Sequence, residues 1–214
     1  MTDHRSPITV SSPTIFIIDD DASVRKSLSR LLRSAGFEVE TFASAELFLE
    51  REHYDGIGCL VLDVRMPGIS GIDLQDELGK ADYSMPIIFI TGHGDIPMGV
   101  HAMKKGAVDF LAKPFEDEEL LQAVREAIEK DTRGRAEYAE VHEVRGRIAL
   151  LTARERDVLR YVITGKLNKQ IAYELGIAEK TVKVHRGRIM EKLGVDSVAD
   201  LVRLAEKADI EPAH

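Results

Sequence analysis

The sequence predicts an α/β domain built on a five-stranded parallel sheet with helices on both faces, followed by a small all-α domain of four helices. Three observations predict it. Short apolar runs alternate with amphipathic stretches through the first 130 residues. From Leu151 onward every pattern is helical. The charge balance also changes along the chain: residues 1–130 hold 13 basic and 23 acidic residues, whereas 152–193 hold 10 basic and 5 acidic. An acidic front and a locally basic back suggest two domains with different partners.

The apolar runs are Ile15–Ile18, Cys59–Leu62, Pro86–Ile90 and Val108–Ala112, with a weaker one at Phe37–Phe42. Each has strand length and is rich in Ile, Val, Leu or Phe, as befits strands buried on both faces. Between them, Val24, Leu28, Leu31 and Leu32 mark one helical face. Ala45, Leu47, Phe48 and Leu49 mark a second, and Ile72, Leu74 and Leu78 a third. Val100 and Met103 mark a fourth, with Pro97 in its first turn; Leu120, Leu121, Val124 and Ile128 mark a fifth. Five strand–helix repeats imply a parallel sheet. This domain is assigned to 13–130.

Residues 131–148 are charged and contain Gly134 and Gly146. They read as a linker, partly helical where Val141, Val144 and Ile148 recur at helical spacing. The last domain is assigned to 149–210. Thr152 with Glu155 forms a capping-box pattern that opens its first helix. Helices over Asn168–Leu175, Glu179–Leu193 and Ser197–Ala208 follow, with Gly165, Gly176 and Gly194 as stops.

No apolar run approaches the ~18 residues of a membrane span. Met1–Pro13 is polar and lacks an apolar signal core, and Cys59 is the one cysteine, so the expectation is a cytoplasmic protein without a membrane partner.

Open parallel sheets bind ligands beyond the carboxyl ends of their strands. There the sequence places Asp19, Asp20 and Asp21, then Asp63, Thr91 and Lys113. Clustered carboxylates repel unless a cation sits among them. All-oxygen ligands suit Mg²⁺, with Mn²⁺ as the alternative. One carboxylate can then attack phosphorus and become an acyl phosphate, with Lys113 and the Thr91 hydroxyl meeting the phosphoryl oxygens. His93 reads as a loop histidine.

The segments IFIIDDDASVRKSL, CLVLDVRMPGISGIDL, PIIFITGHGDIPM and GAVDFLAKPF resemble the receiver domain of two-component response regulators. The resemblance implies a flavodoxin-like fold with Asp63 as phosphoacceptor. It makes Asp19 and Asp20 the acidic pair for Mg²⁺, Asp20 the direct ligand, and the backbone carbonyl of Arg65 a further ligand. Thr91 becomes the switch hydroxyl, Lys113 the phosphoryl-binding ammonium and Phe110 the aromatic switch residue. It also implies a cis Lys113–Pro114 bond, a histidine kinase as phosphoryl source, and a homodimer formed through the fourth helix and fifth strand.

The basic region offers a DNA reader. Val182, His185, Ile189 and Leu193 form a buried stripe, and Lys180, Lys183, Val184 and Gly187 lie opposite, flanked by Arg186, Arg188 and Lys192. The stretch from Leu151 to Ser197 resembles the LuxR-type helix-turn-helix. With the receiver this gives the NarL/FixJ class, closest to the FixJ and StyR subgroup. The resemblance implies base contacts to double-stranded DNA from Lys183, Val184 and position 187, and phosphate contacts from Asn168 and Lys169. Gly187 departs from relatives with a longer side chain there, so Arg186 or Arg188 is expected to substitute. A haloacid-dehalogenase-type phosphatase would want a second acid two residues after the nucleophile. Arg65 stands there, so no turnover of outside substrates is expected, only self-phosphorylation from a donor and slow loss of the phosphoryl group.

Overall fold

The computed structural model describes residues 12–52, 54–80, 85–92 and 96–213, without the side chains of Ile96 and Pro97. His93 and residues 1–11 of the polar N-terminal stretch lie outside the described residues. The chain divides into two compact units, Met1–Arg135 and Ala136–His214.

The first unit alternates strand and helix: β1 Thr14–Ile18, α1 Ala22–Ser34, β2 Glu38–Phe42, α2 Ala45–Leu49, β3 Gly58–Asp63, α3 Gly71–Leu78, β4 Ile87–Thr91, α4 Ile96–Lys104, β5 Asp109–Ala112 and the start of α5, Asp117–Ala149. The strands form one parallel sheet in the order β2-β1-β3-β4-β5. β1, β3 and β4 are buried along their whole length, which accounts for their unbroken apolar runs. β2 alternates at the sheet edge, so its run is weaker.

Side chains leave the sheet on both faces. Ile15, Ile17, Val61 and Ile90 pack with Leu28, Leu32, Leu120 and Val124 of α1 and α5. Phe16, Leu60, Leu62 and Phe89 pack with Phe48, Leu74 and Ala102 of α2, α3 and α4. Two helical faces differ from expectation. In α2, Ala45 and Phe48 are core while Leu47 and Leu49 face solvent. In α4, Ala102 is core and Met98 packs against it in part, while Val100 and Met103 are 49% and 44% exposed. Cys59 is fully buried, and burial pushes its thiol pKa upward, so it is an inert core residue.

The stretch 131–148, expected as a linker, is helical throughout and continues α5 across the division at Arg135. Its Val144 and Ile148 are core residues of the second unit.

The second unit adds α6 Ala153–Val162, α7 Asn168–Leu175, α8 Glu179–Leu193 and α9 Val198–Lys207. Thr152 and Glu155 form the expected capping box. Gly176 and Gly194 take left-handed conformations that end α7 and α8, a geometry that favours glycine. Val158, Leu159, Ile171, Val182, Ile189 and Leu193 make the core. Among the described residues no helix is long and apolar enough to cross a membrane.

Candidate functional site

The parallel register brings four strand ends together. Ile18 of β1 pairs with Leu62 of β3, Asp63 with Ile90 of β4, and Thr91 with Ala112 of β5. Asp19, Asp63, Thr91 and Lys113 therefore emerge at one edge. Asp19, Asp63 and Thr91 are 1%, 6% and 2% exposed. Asp21 instead caps α1, accepting from the Ser23 backbone N–H at 2.7 Å.

Lys113 joins the group. Its Nζ donates to Asp19 Oδ2 at 2.7 Å and to Asp63 Oδ1 at 2.8 Å. The other oxygens meet backbone donors. Asp21 N–H reaches Asp19 Oδ1, and Arg65 N–H reaches Asp63 Oδ2, both at 2.8 Å. The Lys113–Pro114 peptide is cis. Burial raises the Asp63 pKa and the Asp19 charge adds to this, while Lys113 and the Arg65 N–H oppose them. Burial pulls the Lys113 ammonium down, but its bonds and charge contacts with Asp19 and Asp63 together outweigh that, so its pKa is raised.

Asp19, Asp63 and Arg65 stand at this edge among the residues expected to hold Mg²⁺. Asp20 is exposed. Among the described residues no group of three or more His, Cys, Asp or Glu side chains stands close enough to hold a metal ion. The Lys113 cation compensates the charges of Asp19 and Asp63. The oxygen donors at this edge still suit a hard cation that keeps several waters.

Phe110 on β5 is half-buried, its ring 6.5 Å from that of Phe89. Gly99 of α4 lies beside it, and a Cβ there would fall 3.1–3.3 Å from the ring. The sequence reading missed this close approach, which a lone glycine in a helix does not announce.

In the second unit, Lys180, Lys183, Val184, Gly187 and Arg188 of α8 are exposed, as is Lys169 of α7. Val184 is 46% exposed, and the space around Gly187 is open. His185 is half-buried. Arg186 donates to Asn168 Oδ1 at 2.8 Å, which ties α8 to α7. Lys192, expected on the DNA side, is engaged elsewhere. It donates to Glu155 Oε2 at 2.7 Å and to the Leu150 carbonyl at 3.2 Å. Glu155 is 2% exposed, so Lys192 balances a buried charge.

Two family models match the chain. Residues 15–125 match the response regulator receiver domain, and 149–205 match the luxR family of bacterial regulatory proteins. The chain is 50% identical to Nodulation protein W of Bradyrhizobium diazoefficiens over 94% of its length and 88% of that protein. It is 47% identical to Transcriptional regulatory protein FixJ of Azorhizobium caulinodans over 93% and 94% of the two chains. The low-resolution structure of response regulator StyR superposes with a TM-score of 0.77 at 54% identity, covering 92% of this chain and all of that one. The fold, the strand-end pocket and these matches identify the chain as a member of the response regulators that join a receiver domain to a LuxR-type DNA-binding domain.

Proposed function

We propose that Asp63 accepts a phosphoryl group from a partner histidine kinase, and that this modification controls transcription through paired DNA-binding units. The observation that carries the reading is the Lys113 ammonium bridging Asp19 and Asp63 at the carboxyl edge of the sheet.

In the step, a carboxylate oxygen of Asp63 forms a bond to phosphorus, and the donor leaves with the electron pair of the broken bond. Lys113 neutralises one phosphoryl oxygen as Asp63 loses its own charge to the new acyl phosphate. Thr91 donates its hydroxyl to another. Asp19, Asp20, Asp63 and the Arg65 carbonyl would hold Mg²⁺, which supplies charge compensation for the incoming anion. Phe110 and Thr91 then reshape the α4–β5 face, where Val100 and Met103 are exposed and available to a second copy. Pairing two readers raises the effective concentration of the second at its half-site.

On the DNA side, Lys183, Val184 and Arg188 meet base edges and phosphates, with open space at Gly187. Lys180, Lys169 and Asn168 flank them, and Arg186 is positioned by Asn168. Lys192 belongs to the fold.

The test is to incubate the protein with acetyl phosphate and Mg²⁺ and to map the modified residue by mass spectrometry. The expected result is one phosphoryl group on Asp63, and none on the Asp63→Asn variant. Modification elsewhere, or in both proteins alike, would overturn the assignment.

A further inference from the structure

Asp131 is a carboxylate with no exposure, far from the phosphorylation pocket. It accepts from the Gly58 backbone N–H at 3.0 Å and from Arg135 Nε at 2.8 Å. Arg135 also donates to the Asp55 carbonyl at 2.9 Å. A buried charge is tolerated only when paired and hydrogen-bonded, and both conditions hold here. Apolar residues could fill the same space without that demand. What they could not do is set register, because only a directional bond ties one backbone position to one side chain.

The position tied is the first residue of β3, whose last residue is Asp63. Gly58 packs flush against β1, and a Cβ there would fall 2.4 Å from the Thr14 carbonyl oxygen. One strand, roughly 17 Å long at ordinary rise, thus carries the phosphoacceptor at one end and a clamp to α5 at the other. The clamp grips α5 in its last turn within the first unit, and α5 then continues into the core of the second.

We propose that Asp131, with Arg135, is a positioning residue for signal output: it fixes α5 to β3, so that a change of charge at Asp63 is transmitted to the helix leading into the DNA-binding unit. The proposal rests on Asp63 being the phosphoacceptor. Coupling of this kind is a ratio of affinities, not a stability, and the two are separable.

The experiment uses the full chain as wild type, Asp131→Asn and Arg135→Gln, with duplex DNA selected on the wild type. Two quantities are read: the phosphorylated fraction after acetyl phosphate, and the ratio of DNA affinities with and without it. Asparagine keeps an acceptor for Gly58 and loses the charge that holds Arg135. The expected result is an unchanged phosphorylated fraction in all three proteins. The wild-type ratio should lie in the range of about 5 to 150 usual for coupled sites and collapse towards 1 in both variants. A merely structural role would lower the active fraction equally with and without donor and leave the ratio alone, which would overturn the proposal. Variants that respond by the wild-type ratio would also overturn it while leaving the phosphoacceptor reading intact. Failure of the wild type itself to be modified would overturn both.

Discussion

The Lys113 ammonium, at the end of β5, reaches across β4 to within 2.8 Å of Asp63 at the end of β3. The Lys113 and Asp63 side chains together close the two strand widths, about 10 Å, and set the Lys113 cation directly on the pocket's carboxylates. Lys113→Gln removes it and leaves Asp19 and Asp63 facing each other. Phosphorylation of Asp63 by acetyl phosphate is expected to slow by about 100-fold or more, the usual scale for losing one charge-stabilising group. A mass-spectrometric time course measures it, and an unchanged rate would remove Lys113 from the mechanism.

Gly99 and Phe110 give a second prediction. Gly99→Ala places a methyl 3.1–3.3 Å from the Phe110 ring and crowds it away from its present position. The variant is expected to shift the α4–β5 face towards its switched form and to dimerise more readily without a phosphoryl donor. Sedimentation velocity of both proteins would show this, and identical profiles would mean that the ring position does not control pairing.

The basic residues of α8 are not equivalent. Lys183→Ala and Arg188→Ala should each reduce the slope of log affinity against log salt by about 1, as loss of one phosphate contact does. Lys192→Ala should leave the slope unchanged and weaken the fold, because Lys192 is bound to Glu155. A reduced slope for Lys192→Ala would return that residue to the DNA interface.

Glu155 carries a pH dependence. Its hydrogen bond from Lys192 and then that from the Thr152 N–H hold its pKa at about 2. A depressed carboxylate pKa contributes stability above its unfolded value, near 4.3, and loses it as pH falls towards 2. Glu155→Gln should destabilise the second unit by about 2 kcal/mol at pH 7, and the difference should shrink between pH 4 and pH 2. Hydrogen exchange of α6 and α8 amides reads this directly. A difference constant with pH would mean that ionisation of Glu155 is not its source.

The strand ends were legible because β1, β3 and β4 are apolar on both faces, so the first polar residue after each run marks an edge of the sheet. Asp19, Asp63 and Thr91 stand there for that reason, whereas Lys113 follows the half-buried β5. The helices of the second unit were legible from Thr152, Gly165, Gly176 and Gly194. The continuity of α5 was not. Gly134 and Gly146 each weaken a helix by about 1 kcal/mol, and its apolar spacing is faint. What fixes this stretch is tertiary: Asp131 against Gly58, and Val144 and Ile148 in the second core. The commitment of Lys192 to Glu155 was hidden for the same reason, since a local pattern shows which face is charged but not which partner is buried nearby.

The most direct test of the central claim is DNA affinity measured for wild type and Asp63→Asn, each with and without acetyl phosphate and Mg²⁺, at one fixed salt concentration. The account predicts that the wild type tightens its binding with the donor and that Asp63→Asn does not respond. Equal responses from the two proteins, or none from a wild type shown to be phosphorylated, would contradict it.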